Sequence, residues 1–346
     1  MEIFKKSDTK FNYITVLSVI SAISVIILHT NGCFWEFSTE RYWISANIIE
    51  SIFYFAVPIF FMITGATLLD YNLKYSEREY AKKRIIKTVI PFLVWSIIGL
   101  IFSIIVTKSI KVEDLSFKYI FNAIFNTEII SIFWFFRDLF LIYLIIPILA
   151  NIQQEKKVKL YSDFIILLLA FNVIFPFINN VFNLGLNFPI YINLACNSIL
   201  LVLIGYVLDK KELNYSTRII IYVLGIIGLL VHILMTQKLS FDAGKIVSTY
   251  KGYTNIPCIA YSVAIFVFFK QICNKLKFKK VFSFLSQYTF AFYLMQHFIY
   301  TTIQIIFKFN THSIIYRLGM PFVVVVITIA ITWVLRNIPI IKRIVP

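Results

Sequence analysis

The feature that most constrains this chain is a succession of long apolar runs. Placed to within a few residues, they cover about 11–31, 43–69, 85–107, 129–150, 160–179, 190–208, 217–236, 254–273, 282–307 and 313–335. Each is close to or above the roughly 20 residues an α-helix needs to cross the hydrocarbon core of a bilayer. Most are apolar all round, as helices facing lipid or the inside of a bundle are. None alternates with period two over about ten residues, the mark of a transmembrane strand. The expected fold is therefore all-α: a polytopic membrane protein with about ten transmembrane helices. Hydrophobic residues make up 60% of the 346 and charged residues only 14%, which excludes a soluble enzyme, a coiled coil and a disordered regulator. No stretch of about 50 residues is polar enough to form a separate soluble domain, so 1–346 reads as a single integral membrane domain. The first run follows a basic stretch, as a signal peptide would. No small-x-small cleavage site follows it in HTNGCFWEF, and it is expected to stay as the first helix.

The net charge of +16 is the next constraint. In a membrane protein Lys and Arg gather in cytoplasmic loops. An even number of crossings puts both termini on one side. Of the 33 Lys and Arg, that side carries 23. The opposite loops carry nine: Arg41, Lys108, Lys111, Lys118, Lys238, Lys245, Lys251, Lys308 and Arg317. Arg137, inside the fourth run, completes the 33. Both termini are therefore expected in the cytoplasm. The excess charge is explained by topology and membrane lipids, with no nucleic-acid partner. Cys33, Cys196, Cys258 and Cys273 are scattered, so neither a disulfide framework nor a metal site is expected.

Polar residues inside the runs carry the functional information, because a bilayer penalises them. His29 closes the first run, ahead of Thr30 and Asn31. Asn47 and Glu50 lie near the outer start of the second. Arg137 and Asp138 fall at mid-depth in the fourth, His232 lies near the outer end of the seventh, and Gln296 and His297 lie near the middle of the ninth. Together they suggest a polar cavity opening outward. The plain alternatives are interfacial histidines, a structural ion pair at Arg137 and Asp138, headgroup pairing for Glu50 and an internally satisfied His297. Before the third run stands Lys82, Lys83, Arg84 and Lys87. It reads either as a topology anchor or as a phosphate site. At i, i+3 and i+4 spacing, Lys83 or Arg84 shares a helix face with Lys87, at a helix start that favours anions.

These segments resemble the acyltransferase-3 family of ten-helix membrane acyltransferases, in particular the branch that decorates bacterial surface polysaccharides. The segments that carry the resemblance are NYITVLSVISAISVIILHTN (12–31), AVPIFFMITGATLL (56–69), KKRIIKTVIPFLVW (82–95), WFFRDLFLIYLIIPIL (134–149), IGY (204–206), YTFAFYLMQHFI (288–299) and IPIIKRIVP (338–346). The second, close to the family's VPxFFMxSG, is the strongest match. The resemblance implies transfer of an acyl group, usually acetyl, from cytosolic acetyl-CoA to a hydroxyl of a carbohydrate or lipid-linked glycan acceptor. It implies a multi-pass protein of the bacterial plasma membrane that needs no metal. His29 would act as general base or acyl relay, a role suited to an imidazole that titrates near neutrality. Glu50, Arg137, Asp138 and His297 are the further catalytic candidates, and Lys83, Arg84 and Lys87 would hold the CoA phosphates.

The chain departs from the family pattern at several points. Many relatives carry an Arg eleven residues before the histidine, where this chain has Ser18, with Thr15 at the preceding acidic position. Leu139 and Phe140 stand where some relatives have a Glu. The family's YLIH becomes Tyr293, Leu294, Met295 and Gln296, with His297 one place later. Arg137 is expected to supply the cation missing at position 18. Two other readings stay open: a transporter or exporter of a glycan intermediate, and a catalytically degenerate member of a glycan-assembly complex. Transporters usually show paired halves and broken helices, and no internal repeat is visible here.

Overall fold

The computed structural model of the chain describes residues 12–186, 192 and 194–338. Among these the protein is helical throughout, with no strand. Among the described residues, nine helical segments are long and apolar enough to cross a membrane: Tyr13–Thr30, Arg41–Leu73, Glu77–Ile105, Ser131–Ala150, Gln154–Phe182, Tyr215–Ala243, Ile256–Lys275, Thr289–Phe307 and Ile314–Arg336. Lys5, Lys6, Lys10, Lys342, Arg343 and all but the first residue of the closing IPIIKRIVP segment lie outside the described residues, as does part of the run expected at 190–208.

Several runs are composite. The second is α2 (Arg41–Phe53) followed by α3 (Ala56–Leu68), broken at Tyr54 and Phe55. Pro58 sits in the first turn of α3, where its missing N–H costs nothing. The third opens as the polar helix α4 (Glu77–Arg84), capped by Ser76, and passes through a π-helical turn at Ile85–Val89 into α5 (Ile90–Ile105). The outer loop that follows holds a short helix, α6 (Phe117–Phe125), which the hydropathy pattern does not announce. Then come α7 (Trp134–Ala150) and α8 (Gln154–Leu168), the latter continuing through a second π-helical turn into α9 (Phe175–Phe182).

The expected sixth crossing appears as α10 (Ile199–Lys210), only 12 residues long. Every residue from Ile199 to Tyr206 is buried, so its all-round apolarity serves the protein interior and not lipid. It crosses α3 at very close range. A Cβ on Gly65 would lie 1.8 Å from the Val202 carbonyl oxygen, and one on Gly205 would lie 2.0 Å from that of Met62. Small residues permit such backbone approach between membrane helices.

The chain closes with α11 (Tyr215–Ala243), α12 (Ile256–Ile272), α13 (Lys279–Ser286), α14 (Thr289–Phe307) and α15 (Ile314–Arg336). Gly244, with φ of 62°, ends α11 in the left-handed conformation that glycine adopts without strain. The first helix, α1 (Tyr13–Thr30), packs against α2, α3, α12, α13, α14 and α15. Its last turn, bearing His29, is thereby held at the meeting point of several helices.

Candidate active site

The site is built around the outer end of α1. His29 Nδ1 lies 2.9 Å from Gln296 Oε1 on α14. Gln296 is fully buried, and its Nε2 donates to the Tyr293 carbonyl at 3.2 Å, which turns Oε1 toward the histidine. An amide oxygen only accepts, so Nδ1 carries the hydrogen and Nε2 keeps its lone pair. No protein group bonds Nε2 among the described residues. A neutral imidazole fixed at one nitrogen with the other free is the arrangement a general base requires. Gln296 stands at the position of the family's YLIH histidine, and its contact with His29 was not foreseen from the sequence.

His29 is on the wall of a cavity of about 680 Å³. At the end marked by the basic segment, this cavity is lined by Arg84, Lys87, Thr88 and Thr289. Its middle is apolar, with Val57, Phe60, Ile63, Phe135 and Leu139. Its other end meets His29, Gly32, Glu50, Tyr253 and Tyr300. Thr289 and Tyr300 lie on one helix, eleven residues apart, so the cavity runs about 16 Å along α14. A second chamber, of about 360 Å³, shares His29, Gly32 and Tyr300 with the first. It is more polar, and Thr301, Gln304, Thr311, His312 and Glu36 line it. His29 thus stands where two chambers meet.

Behind His29 lies a chain of buried charges. Glu50, only 2% exposed, receives Asn31 Nδ2 at 3.3 Å and has Lys251 Nζ 3.5 Å away. Lys251 is boxed by aromatic rings, with Tyr54 at 3.6 Å and Phe34 at 4.7 Å from its ammonium. Burial pushes the Lys251 amine below its ordinary range, and Glu50 opposes that shift. On the other side, Arg317 donates to Asn31 Oδ1 at 3.2 Å and to Ser45 Oγ at 2.7 Å. Asn31 caps α1, so this network clamps the turn that presents His29. Lys251 and Arg317 read as loop charges in the sequence. Their one distinguishing signal was their place on the side depleted of cations.

The predicted residues divide accordingly. His29, Glu50, Arg84 and Lys87 line the same cavity. Lys83 does not, since it pairs with Glu79 at 2.8 Å and rests over the Tyr75 ring. Arg84 has an Nε without a partner and a guanidinium near the rings of Tyr80 and Tyr143. Arg137 and Asp138 are corrected in depth, because α7 begins only at Trp134 and both fall at its outer start. Arg137 is exposed, on the face opposite Leu139, which lines the cavity. It therefore supplies no cation in place of Ser18. Asp138 turns to Ser198 Oγ, the residue before α10. His297 misses both chambers and bonds Tyr300 Oη at 2.9 Å. His232 is fully buried and reaches Tyr261 Oη at 3.4 Å, away from the cavity.

A helical membrane protein with a histidine at the junction of two chambers has the outline of a membrane transferase. The chain belongs to the acyltransferase-3 family, whose profile, described as an acyltransferase domain, matches residues 11–336. It is a multi-pass membrane acyltransferase. No curated protein and no solved structure matches it.

Proposed function

We propose that this protein moves an acyl group, acetyl in the simplest case, from cytosolic acyl-CoA to a hydroxyl of a cell-surface polysaccharide or its lipid-linked precursor at the bacterial plasma membrane. The observation that carries this reading is the continuous cavity from Arg84 and Lys87 to His29, with a separate polar chamber on the far side of the same histidine. Arg84 and Lys87 suit the phosphates of the donor, as cations with no ion-pair partner among the described residues. The apolar middle suits an uncharged thioester-bearing arm. The hydroxyls and amide of the second chamber suit a sugar.

The chemistry follows from the free Nε2 of His29. It takes the proton of the acceptor hydroxyl as the oxygen attacks the thioester carbonyl. The C–S bond then breaks, and the imidazolium returns its proton to the departing thiolate. Gln296 holds the tautomer throughout, and Asn31, Glu50 and Arg317 hold the turn.

The test is His29→Ala in cells lacking the native protein, with surface glycan assayed for alkali-labile acetyl esters. Loss of the esters at equal protein level is expected. Normal acetylation would sink the mechanism. Unmodified glycan retained inside the cell would favour an exporter instead.

A further inference from the structure

Three residues belong to both chambers: His29, Gly32 and Tyr300. Gly32 has no side chain, so His29 and Tyr300 are the two groups at the junction able to do chemistry. Tyr300 lies on α14 one turn beyond Gln296, the residue that holds His29. Its phenol is itself held, at 2.9 Å, by Nδ1 of His297. His297 touches neither chamber and lies beside the rings of Phe102 and Phe298. A half-buried imidazole set behind a phenol at a cavity junction is more than packing requires, since a phenylalanine would fill the wall as well.

We infer that Tyr300 is a second catalytic residue, donating its phenolic hydrogen to the carbonyl oxygen of the acyl group during transfer, and that His297 is a positioning residue that orients this phenol. The inference rests on the reading of His29 as the base. As the acceptor oxygen bonds to the carbonyl carbon, the C=O π pair moves onto the carbonyl oxygen. That oxygen becomes an anion at the junction of the two chambers. A donor already aimed at it stabilises the transition state more than the substrate, which is the condition for raising the rate. In the tautomer that carries its hydrogen on Nδ1, His297 donates to Tyr300 Oη and leaves the phenolic hydrogen for the substrate oxygen. When the C–S bond breaks, the pair returns to the carbonyl and Tyr300 keeps its proton. Histidine and tyrosine therefore divide the work: His29 moves the proton and Tyr300 meets the charge.

The experiment uses membrane vesicles from the producing cells, which carry the endogenous glycan, supplied with radiolabelled acetyl-CoA. Tyr300→Phe removes one hydroxyl and leaves the ring. Loss of one preorganised donor to an oxyanion typically lowers kcat by about 10²–10³, and a fall of that size is expected, with KM for acetyl-CoA unchanged. His297→Ala is expected to lower kcat about tenfold, and His297→Gln, whose amide can still donate to the phenol, less than that. Wild-type kcat in Tyr300→Phe alongside an inactive His29→Ala would overturn the role of Tyr300 while leaving His29 in place. A loss confined to KM would overturn it too, as a packing effect. Activity in His29→Ala would instead remove the reading on which the inference rests. Protein level and thermal midpoint, measured for each variant, separate these outcomes from misfolding.

Discussion

Two clusters of buried charge stand at opposite ends of this protein, and they differ in what they face. At the outer end, Lys251, Glu50, Asn31 and Arg317 form a chain of which Glu50 lines the cavity. At the basic end, Asp70 receives Lys157 and Lys210, each at 2.9 Å, with Tyr206 Oη at 3.0 Å and Gln154 at 3.3 Å. Lys157 is completely buried and also bonds the Leu69 carbonyl. That cluster ties the end of α3 to α8 and α10 and touches no chamber. Both would pass the usual test of an expensive ion inside a membrane protein. Only one adjoins a place where a substrate fits. Burial of charge alone therefore does not mark a site; contact with the cavity does.

This contrast can be broken by mutation. The largest effect is expected at the sealed cluster. Asp70→Ala leaves Lys157 buried without its carboxylate, and breaking a buried pair in this way typically costs about 3–5 kcal/mol. A clear drop in the thermal midpoint in detergent should accompany it, with KM for acetyl-CoA unchanged in the folded fraction. A changed KM with an unchanged midpoint would mean that the cluster serves the substrate after all. At the outer network, Glu50→Gln keeps an acceptor for Asn31 but removes the charge facing Lys251. A loss of about 1.5–3 kcal/mol, typical of a hydrogen bond to a charged group, is expected, together with lower kcat from a loosened His29. Pairing it with Lys251→Met should return stability and not activity. The smallest effect is expected at the donor end. Arg84→Ala should raise KM for acetyl-CoA about tenfold, or about 1.4 kcal/mol, with kcat and midpoint near wild type, and the difference should shrink as salt is raised.

The helical, membrane-spanning character was legible because bilayer thickness leaves few solutions for such long apolar runs. The breaks were not. Tyr54 and Phe55 are as apolar as their neighbours, so nothing in composition announces that one run is two helices. The start of α7 shows the cost. Three residues of 3-10 turn at Ser131–Phe133 move Arg137 from apparent mid-depth to the outer margin and remove it from the site. His29, Glu50, Arg84 and Lys87 were readable as unusual residues in apolar surroundings or at a helix start. Gln296 was readable in the same way but its bond to His29 was not, and Tyr300 was harder still, because a phenol is unremarkable in a membrane helix until its partners are known. Lys251 and Arg317 were hidden by a rule that assigns loop cations to solvent, although both fold inward and are buried.

The shared wall at His29, Gly32 and Tyr300 has a meaning beyond catalysis. A membrane is an electrical insulator, and an enzyme hollowed from both faces thins that insulation to the side chains between the hollows. On the proposed reading, His29 and Tyr300 are the side chains between the hollows. The imidazole and phenol that would serve the reaction would then also have to refuse passage to ions, a demand set by the cell's membrane potential and not by the reaction rate.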